Sequence, residues 1–453
     1  MIKFFKSLNL RWYDNFLVIG FLSSIPVYVE GMLLMGISSP VTTTIPFWLL
    51  TILCINDCAC FLLYLIFGRK SDQKLNIAIV TIFFLIVFVS AISMLEPNPF
   101  TLNSPNYMDP SLEDINVSFT VSKVARMTLM YNLICTIIPI YTAIFVLPQR
   151  MKNINIILVF GLVTYTVIVI SIIYSVIKEF FNYGKLFTLL FDPKNDGTGI
   201  KNFVPKSFFN NSNIFGMVLE FGCVISFITM SISKRKYHIA YFVTFLIMLH
   251  LTFCRSAIAI LDTLVFIYIT YRAIMVIKAN KKKGFIFLFT YLGSLTTIAL
   301  TFIILYACNN YLARKIVFIF NQGSLTLSSR LAIWRYGSEA LKNGRFFIGR
   351  GYGLFNLILF NATEMGTSSS HSFIINLLGR GGIVYLGSYI GLLVYIFITA
   401  FKTYKKDRIL VSSILLALLT FIFHSCFEDN YYPVIVFSLF LLLVKEYHKE
   451  QHQ

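Results

Sequence analysis

The amino-acid sequence predicts an all-α integral membrane protein with about twelve transmembrane helices. Of its 453 residues, 57% are hydrophobic and 13% are charged, and the mean hydropathy is +0.77. Soluble domains are about half apolar and about a quarter charged, so this chain has more apolar surface than a soluble core can hide. Apolar runs long enough to cross a bilayer recur along the chain, about 20 residues being needed. We therefore expect a single integral membrane domain over residues 1–453.

Twelve apolar runs are predicted to span the membrane. In chain order they are Phe16–Met35, Ile45–Phe67, Leu75–Leu95, Val124–Leu147, Ile154–Ile177, Asn213–Ile232, Ile239–Phe253, Ser256–Ile277, Phe285–Ala307, Phe373–Phe401, Ile409–Cys426 and Tyr432–Val444. The seventh and twelfth runs are shorter than the others, so their boundaries can shift by several residues.

Basic residues concentrate in every second connection between these runs. They are Arg69, Lys70, Lys74, Arg150, Lys152, Lys234, Arg235, Lys236, Lys278, Lys281, Lys282, Lys283, Lys402, Lys405, Lys406 and Arg408. With twelve spans, all of them fall on the same side as both termini, and the positive-inside rule makes that side cytoplasmic. The net charge of +18 is therefore interpreted as a signal that orients the chain in a membrane, not as a nucleic-acid-binding surface.

No metal site and no cofactor are expected. The eight cysteines lie in or beside apolar runs and lack CxxC or Cys/His spacing, which favours a role as small apolar filler. The chain contains no HExxH motif, and the long loop of residues 308–371 has no carboxylate pair spaced for a divalent ion.

The loop of residues 308–371 lies on the predicted outer side and is basic. The loop contains seven lysines and arginines and two glutamates. This excess of positive charge is the opposite of what the positive-inside rule predicts for the outer side. A solvated basic loop is one interpretation. The sharper one is a site for an anionic substrate at the membrane–water boundary, because the guanidinium groups of arginine bind phosphate oxygens in a bidentate way. The arginines are Arg314, Arg330, Arg335, Arg345 and Arg350.

A short amphipathic helix is predicted within this loop. Ser328 and Ser329 resemble a helix start, and Gly344 is a plausible stop. Leu331, Trp334, Ser338 and Leu341 fall on one stripe of this helix, which places the helix on the membrane surface with Trp334 as an interfacial anchor. The alternating glycines Gly349, Gly351 and Gly353 then permit either close backbone approach to a phosphate or a flexible turn.

Several ionisable residues near the predicted outer ends of spans are candidate site residues. His371 precedes the tenth span and can titrate near neutrality, so it is a candidate proton acceptor or a structural histidine. Arg380 lies inside that apolar run, Arg255 in a very tight turn between two spans, and His424 at the end of the eleventh. Within the spans, packing groups or a proton path remain open alternatives for His250, Glu220, Asp262 and Asp57.

These motifs resemble the O-antigen polymerase and O-antigen ligase superfamily, whose members join lipid-linked glycans at the outer face of bacterial membranes. The stretches that carry the resemblance are Leu251–Ala257, Ser329–Trp334 with Phe347–Gly351, His371–Phe373 with Gly381–Gly382, and Asn211–Asn213. Cys254 stands where the family usually has serine, and Arg380 occupies a position that is not normally basic.

The resemblance implies a fold of the GT-C type and metal-independent transfer of a glycan from an undecaprenyl pyrophosphate donor to a sugar hydroxyl. His371 would be the base, and the pyrophosphate would be bound by Arg255 and Arg330, with Arg335 and Arg350 as weaker candidates. Further candidates for the substrate pocket are Arg380, Trp334, Gly349, Gly351, Asn213 and His424.

The expected partners are the lipid bilayer, a lipid-linked donor and acceptor, a chain-length regulator and a flippase, and the expected location is the bacterial cytoplasmic membrane. We favour a polymerase, whose acceptor is a second lipid-linked repeat unit, because no region suggests docking of a large fixed acceptor. A ligase stays open within the family. A flippase or transporter is the alternative from another class, although the chain shows no internal repeat.

Overall fold

The computed structural model describes residues 77–95, 155–183, 212–233, 235–311, 327–342, 344–351, 370–404 and 407–427, with a few isolated positions elsewhere. About 90% of the described residues are helical and none is in a strand, which confirms the all-α class for this part of the chain. The predicted spans Phe16–Met35 and Val124–Leu147 lie outside the described residues. Apart from isolated positions, so do Ile45–Phe67 and Tyr432–Val444.

Ten helices are present in the described residues. They are α1 (Ile77–Leu95), α2 (Asn155–Tyr183), α3 (Ser212–Ser233), α4 (Tyr237–Leu251), α5 (Arg255–Ala279), α6 (Lys281–Ala307), α7 (Leu327–Glu339), α8 (Arg345–Ile348), α9 (Phe373–Tyr404) and α10 (Arg408–Ser425). Eight of them, all but α7 and α8, coincide with predicted spans. Within the described residues, four helical stretches have the length and hydropathy to cross a membrane: Phe215–Ser233, Arg255–Ala279, Lys281–Ala307 and Phe373–Tyr404. This is the composition expected of an all-α membrane protein.

Two helix boundaries differ from the predicted ones by four residues or more. Helix α2 continues to Tyr183, six residues beyond the predicted end at Ile177. Helix α6 begins at Lys281 and not at Phe285, because the side chain of Asn280 accepts a hydrogen bond from the Lys283 amide at 3.1 Å and caps the helix. Charged residues therefore lie within the first turn of α6, ahead of its apolar run.

Helix α9 matches the predicted span Phe373–Phe401, and it contains a break that the sequence does not reveal. Gly382 has φ 68° and ψ −165°, outside the helical region. The stretch after it, about 22 residues, is roughly 33 Å long and is enough to cross the hydrocarbon core by itself. Arg380 lies in the short segment of α9 that precedes the break.

Helix α7 is present as predicted, and the structure shows which of its residues are buried in the protein. The predicted stripe consisted of Leu331, Trp334, Ser338 and Leu341. Leu341 is buried, whereas Leu331 and Ser338 are exposed. The buried side carries Ile333 and Gly337, and a Cβ on Gly337 would lie only 2.9 Å from Cγ2 of Ile375 in α9. The close approach of α9 at Gly337 therefore marks the side of α7 that packs against the rest of the protein.

The described residues divide into two compact units. The first contains the residues up to Ile168, Phe221–Phe242 and those from Leu327 onward, and the second contains Val169–Glu220 and Val243–Thr326. In the first unit, α9 packs against α1, α7, α8 and α10. In the second, α5 and α6 form a tight hairpin in which a Cβ on Gly284 would lie 2.4 Å from Ile277.

Candidate functional site

His371 occupies a strained turn immediately before α9. Its φ of 49° lies in the left-handed region, where histidine is more frequent than most residues but still uncommon. The hydroxyl of Ser370 donates to the Ser372 carbonyl at 2.8 Å and accepts from the Ser372 amide at 3.3 Å, which closes the turn around His371. Both serines are buried, while His371 is half-buried. Strained backbone of this kind costs about 1–3 kcal/mol and concentrates at functional sites.

Trp334 ties α7 to this turn. Its indole N–H donates to the Ser370 carbonyl at 2.9 Å. Interfacial anchoring was the favoured interpretation of this residue, but the structure gives its polar end a defined protein partner. The helix that carries Trp334 therefore also holds the backbone next to His371.

Arg330 lies on the same side of α7 as Trp334, one turn away. Its Nη1 donates to the Phe427 carbonyl at 2.6 Å, and its guanidinium carbon lies 5.9 Å from the centre of the Phe427 ring. Phe427 follows the C-terminal end of α10, where the helix dipole is negative and attracts a cation. Arg330 as a whole residue is half-exposed, so part of it is in contact with solvent.

Three helices thus meet beside His371. The ring of Phe373, the first residue of α9, lies 5.4 Å from that of Phe421 in the last turns of α10. Together with the Trp334 and Arg330 bonds, this contact joins the start of α9, the end of α10 and one side of α7. We call this place the α7–α9–α10 junction.

The glycine-rich turn after α8 packs against the break in α9. The Gly349 amide donates to Arg345 at 2.7 Å, the Arg350 amide to Gly379 at 2.7 Å, and the Gly351 amide to Arg380 at 3.1 Å. These three consecutive N–H groups therefore bind carbonyl groups of the protein itself. The sequence left two alternatives for these glycines, close backbone approach to a phosphate or a turn. The structure contains a turn, and its Arg350 and Gly351 amides bind carbonyl groups next to the break in α9.

The glycine-rich turn and the break in α9 pack closely against each other. Gly349 has φ 72°, and a Cβ there would lie 2.7 Å from the carbonyl carbon of Arg380. A Cβ on Gly382 would lie 2.1 Å from the carbonyl oxygen of Phe347. Because neither position has room for a side chain, glycine is required at both for the turn to sit in the break.

The other predicted arginines of this unit have distinct surroundings. Nε of Arg350 donates to the Ala340 carbonyl at 2.6 Å, which binds the end of α7 to the glycine-rich turn. Arg380 is buried, with 1% of its surface exposed, directly before the break in α9. Arg335 is 82% exposed and pairs with Glu339 at 3.3 Å on the outer side of α7. Among these four, Arg330 is the residue whose described contact joins α7 to the end of α10.

His424 lies in the last turn of α10 and is completely buried. Its carbonyl accepts from the Phe427 amide at 2.9 Å, so it supports the helix end that Arg330 caps. His371 retains exposed surface, so it is more accessible from outside the protein than His424.

Two further candidates, Arg255 and Asn213, lie in the second unit. Arg255 is the exposed first residue of α5, and it follows a turn in which Phe253 has φ 52°. The thiol of Cys254 donates to the Asn213 carbonyl at 3.5 Å. A Cβ on Gly216 would lie 2.3 Å from Cβ of Cys254, so the turn packs closely on α3.

The turns that precede α5 and α9 have the same construction. In each, a hydroxyl side chain accepts from the amide two residues later: Thr252 from Cys254, and Ser370 from Ser372, both at 3.3 Å. The residue between is left-handed, and the helix starts one residue after the turn. Sequence reasoning singled out both stretches, but it did not identify the two hydroxyl residues as the source of the turn geometry.

Within the described ranges, no group of three or more histidine, cysteine, aspartate or glutamate side chains is arranged to hold a metal ion. No protein-family model matches the chain, and no curated protein is significantly similar to it.

Proposed function

We propose that this protein is a membrane glycosyltransferase that joins undecaprenyl-pyrophosphate-linked oligosaccharide repeat units into O-antigen, capsule or exopolysaccharide. In this proposal it has about twelve spans and a GT-C-like fold, and it lies in the bacterial cytoplasmic membrane with both termini in the cytoplasm and its site on the outer face. Its support is the family resemblance of the motifs and the apolar helices of the described residues. A chain-length regulator and a flippase are the proposed protein partners.

The observation that carries the proposal is the His371 turn. The acceptor hydroxyl is a weak nucleophile, and a base that takes its proton during attack is needed. His371 is half-buried, held in an uncommon backbone conformation by Ser370 and Ser372, and tied to α7 through Trp334. The backbone that carries the His371 imidazole is therefore held in place, and this supports its proposed role as a general base.

The proposed reaction is a single displacement. The acceptor oxygen forms a bond to the anomeric carbon while the bond from that carbon to the pyrophosphate oxygen breaks, and the electron pair leaves with the pyrophosphate. The acceptor proton passes to the His371 imidazole, and the configuration at the anomeric carbon inverts. Negative charge grows on the leaving group, and a preorganised guanidinium stabilises it.

Arg330 is the preferred arginine for that charge. It is fixed at the α7–α9–α10 junction through the Phe427 carbonyl, and the residue is half-exposed. The part proposed for Arg255 rests on its exposed position at the start of α5 and on the motif resemblance. The arrangement supports Arg335 and Arg350 less, because one forms a surface ion pair and the other binds Ala340.

One observation favours a transporter as the second candidate. Transporters often have discontinuous helices at their substrate sites, and α9 is discontinuous at Gly382 beside the buried Arg380. A carrier for the same lipid-linked glycans would move them across the membrane without changing their length. A ligase would transfer the glycan to an acceptor other than a second repeat unit.

A reconstitution assay separates these functions. Purified protein in lipid vesicles is supplied with lipid-linked repeat units isolated from the source organism. A ladder of longer lipid-linked glycans supports a polymerase. Unchanged glycans that move between the two leaflets would overturn the proposal in favour of a transporter. Transfer only after a different acceptor is added would identify a ligase.

A further inference from the structure

The second unit contains an ion pair within apolar helices that the proposed reaction does not use. Nε2 of His250, in α4, lies 3.1 Å from Oδ2 of Asp262, in α5. We propose that His250 and Asp262 form a proton-binding site within the membrane-embedded part of the protein. The sequence is compatible with two roles for these residues, as packing groups or as part of a proton path. Their pairing favours a role in proton binding.

The tautomer of His250 is fixed by its other hydrogen bond. Nδ1 lies 2.8 Å from the Leu246 carbonyl, which can only accept, so Nδ1 carries a hydrogen. Nε2 then faces the carboxylate of Asp262, and one further proton lies between them on either partner. The pair with this proton is electrically neutral, whereas its loss leaves one negative charge.

The pair is accessible. The side chains of His250 and Asp262 are 45% and 47% exposed. Asp262 follows Arg255 by two helical turns on the same side of α5, about 10 Å along the axis. His250 is in the last turn of α4, next to the turn that leads to Arg255. Water at the membrane boundary therefore has only a short distance to travel to exchange the proton.

The neighbouring groups suit a site whose charge changes. Tyr291 of α6 interacts electrostatically with Asp262, and its ring lies 6.1 Å from that of Phe266. Arg255 shares the side of α5 that carries Asp262. Proton release would leave a negative charge on α5, two helical turns from Arg255 and on the same side of the helix. The pair thus changes the net charge beside Arg255 by one unit.

A first experiment uses the unaltered protein in lipid nanodiscs. Diethyl pyrocarbonate acylates an imidazole nitrogen that carries no proton, and mass spectrometry locates the modified residue. We expect His250 to be modified progressively as pH rises, and the buried His238 to resist at every pH. If His250 stays unmodified throughout, water does not reach the pair, and the proposal fails.

A second experiment tests whether the two groups share one proton. Infrared difference spectra between low and high pH are recorded for wild type, His250→Gln and Asp262→Asn, with Glu220→Gln as the matched carboxylate control. We expect imidazole and carboxyl bands to titrate together in wild type, and each substitution to move the other group's midpoint by at least about one pH unit, a tenfold change in proton affinity. Glu220→Gln should leave both unchanged. Independent titration of the two groups would overturn the proposal whether or not the glycosyltransferase activity exists.

Discussion

The indole N–H of Trp334 donates to the carbonyl of Ser370, 2.9 Å away, and this bond joins α7 to the turn that holds His371. Because Arg330 lies one turn before Trp334 and binds the end of α10, one helix face fixes both the proposed base and the proposed pyrophosphate ligand. The following predictions test what this face and its neighbours contribute.

Trp334→Phe should lower glycan synthesis severalfold while the protein remains folded. Phenylalanine keeps the aromatic ring but loses the N–H that holds the Ser370 carbonyl, at a cost of about 1 kcal/mol in stability. The measurement is the rate of ladder formation beside a thermal unfolding curve. A full rate in Trp334→Phe would mean that this hydrogen bond does not position His371.

Arg330→Ala should reduce glycan synthesis by at least about a hundredfold, the effect typical of a lost charge-stabilising donor. The matched control is Arg335→Ala on the same helix. Arg335 is mostly exposed and pairs only with Glu339 among the contacts described for it, so its loss should change the rate less than about threefold and stability by under about 1 kcal/mol. Equal losses in both variants would remove the special role of Arg330.

Gly382→Ala should destabilise the protein by about 3 kcal/mol or more, because the new Cβ meets the Phe347 carbonyl and the backbone has a positive φ. Gly387→Ala is the control within the same helix, since nothing lies within 4 Å of a Cβ there. That change should be neutral or stabilising by up to about 1 kcal/mol. Thermal unfolding in detergent measures the stability of both variants. Similar unfolding midpoints would contradict the close packing of the glycine-rich turn against the break at Gly382.

The two ends of α6 should lie on opposite sides of the membrane. Cys308 is exposed at one end, and Lys282 lies at the other. On intact cells without an outer barrier, a membrane-impermeant thiol reagent should label Cys308, with Cys308→Ser as the background control. The variant Lys282→Cys in that background should react only after the cells are opened. Labelling of position 282 from outside would reverse the orientation inferred from the basic connections.

The helices were predictable because apolar runs must satisfy their backbone groups internally in a membrane, and hydropathy reports those runs directly. The break at Gly382 was not predicted, although the pair Gly381–Gly382 was noticed. A glycine pair is compatible with a continuous helix, and the break depends on the Phe347 backbone packed against it. Contacts between segments far apart in sequence decided that outcome.

The candidate site was predictable to a similar degree. The motif residues His371, Arg330 and Trp334 were identified, and the structure brings them to one junction. Phe427 was missed because it contributes a backbone carbonyl, which every residue has. Ser370 was missed as the organiser of the turn because a serine-rich stretch more often marks an ordinary loop.

The most direct test of the account is glycan-ladder formation by His371→Gln beside His424→Gln, with both proteins checked for folding. Glutamine is similar in size to histidine, but its amide cannot take up the proton of the sugar hydroxyl that attacks. We predict that His371→Gln loses at least about a hundredfold in rate, as expected for a lost general base, while His424→Gln, altered at a buried position, keeps most of its activity. A full ladder from folded His371→Gln would contradict the assignment of His371 as the base.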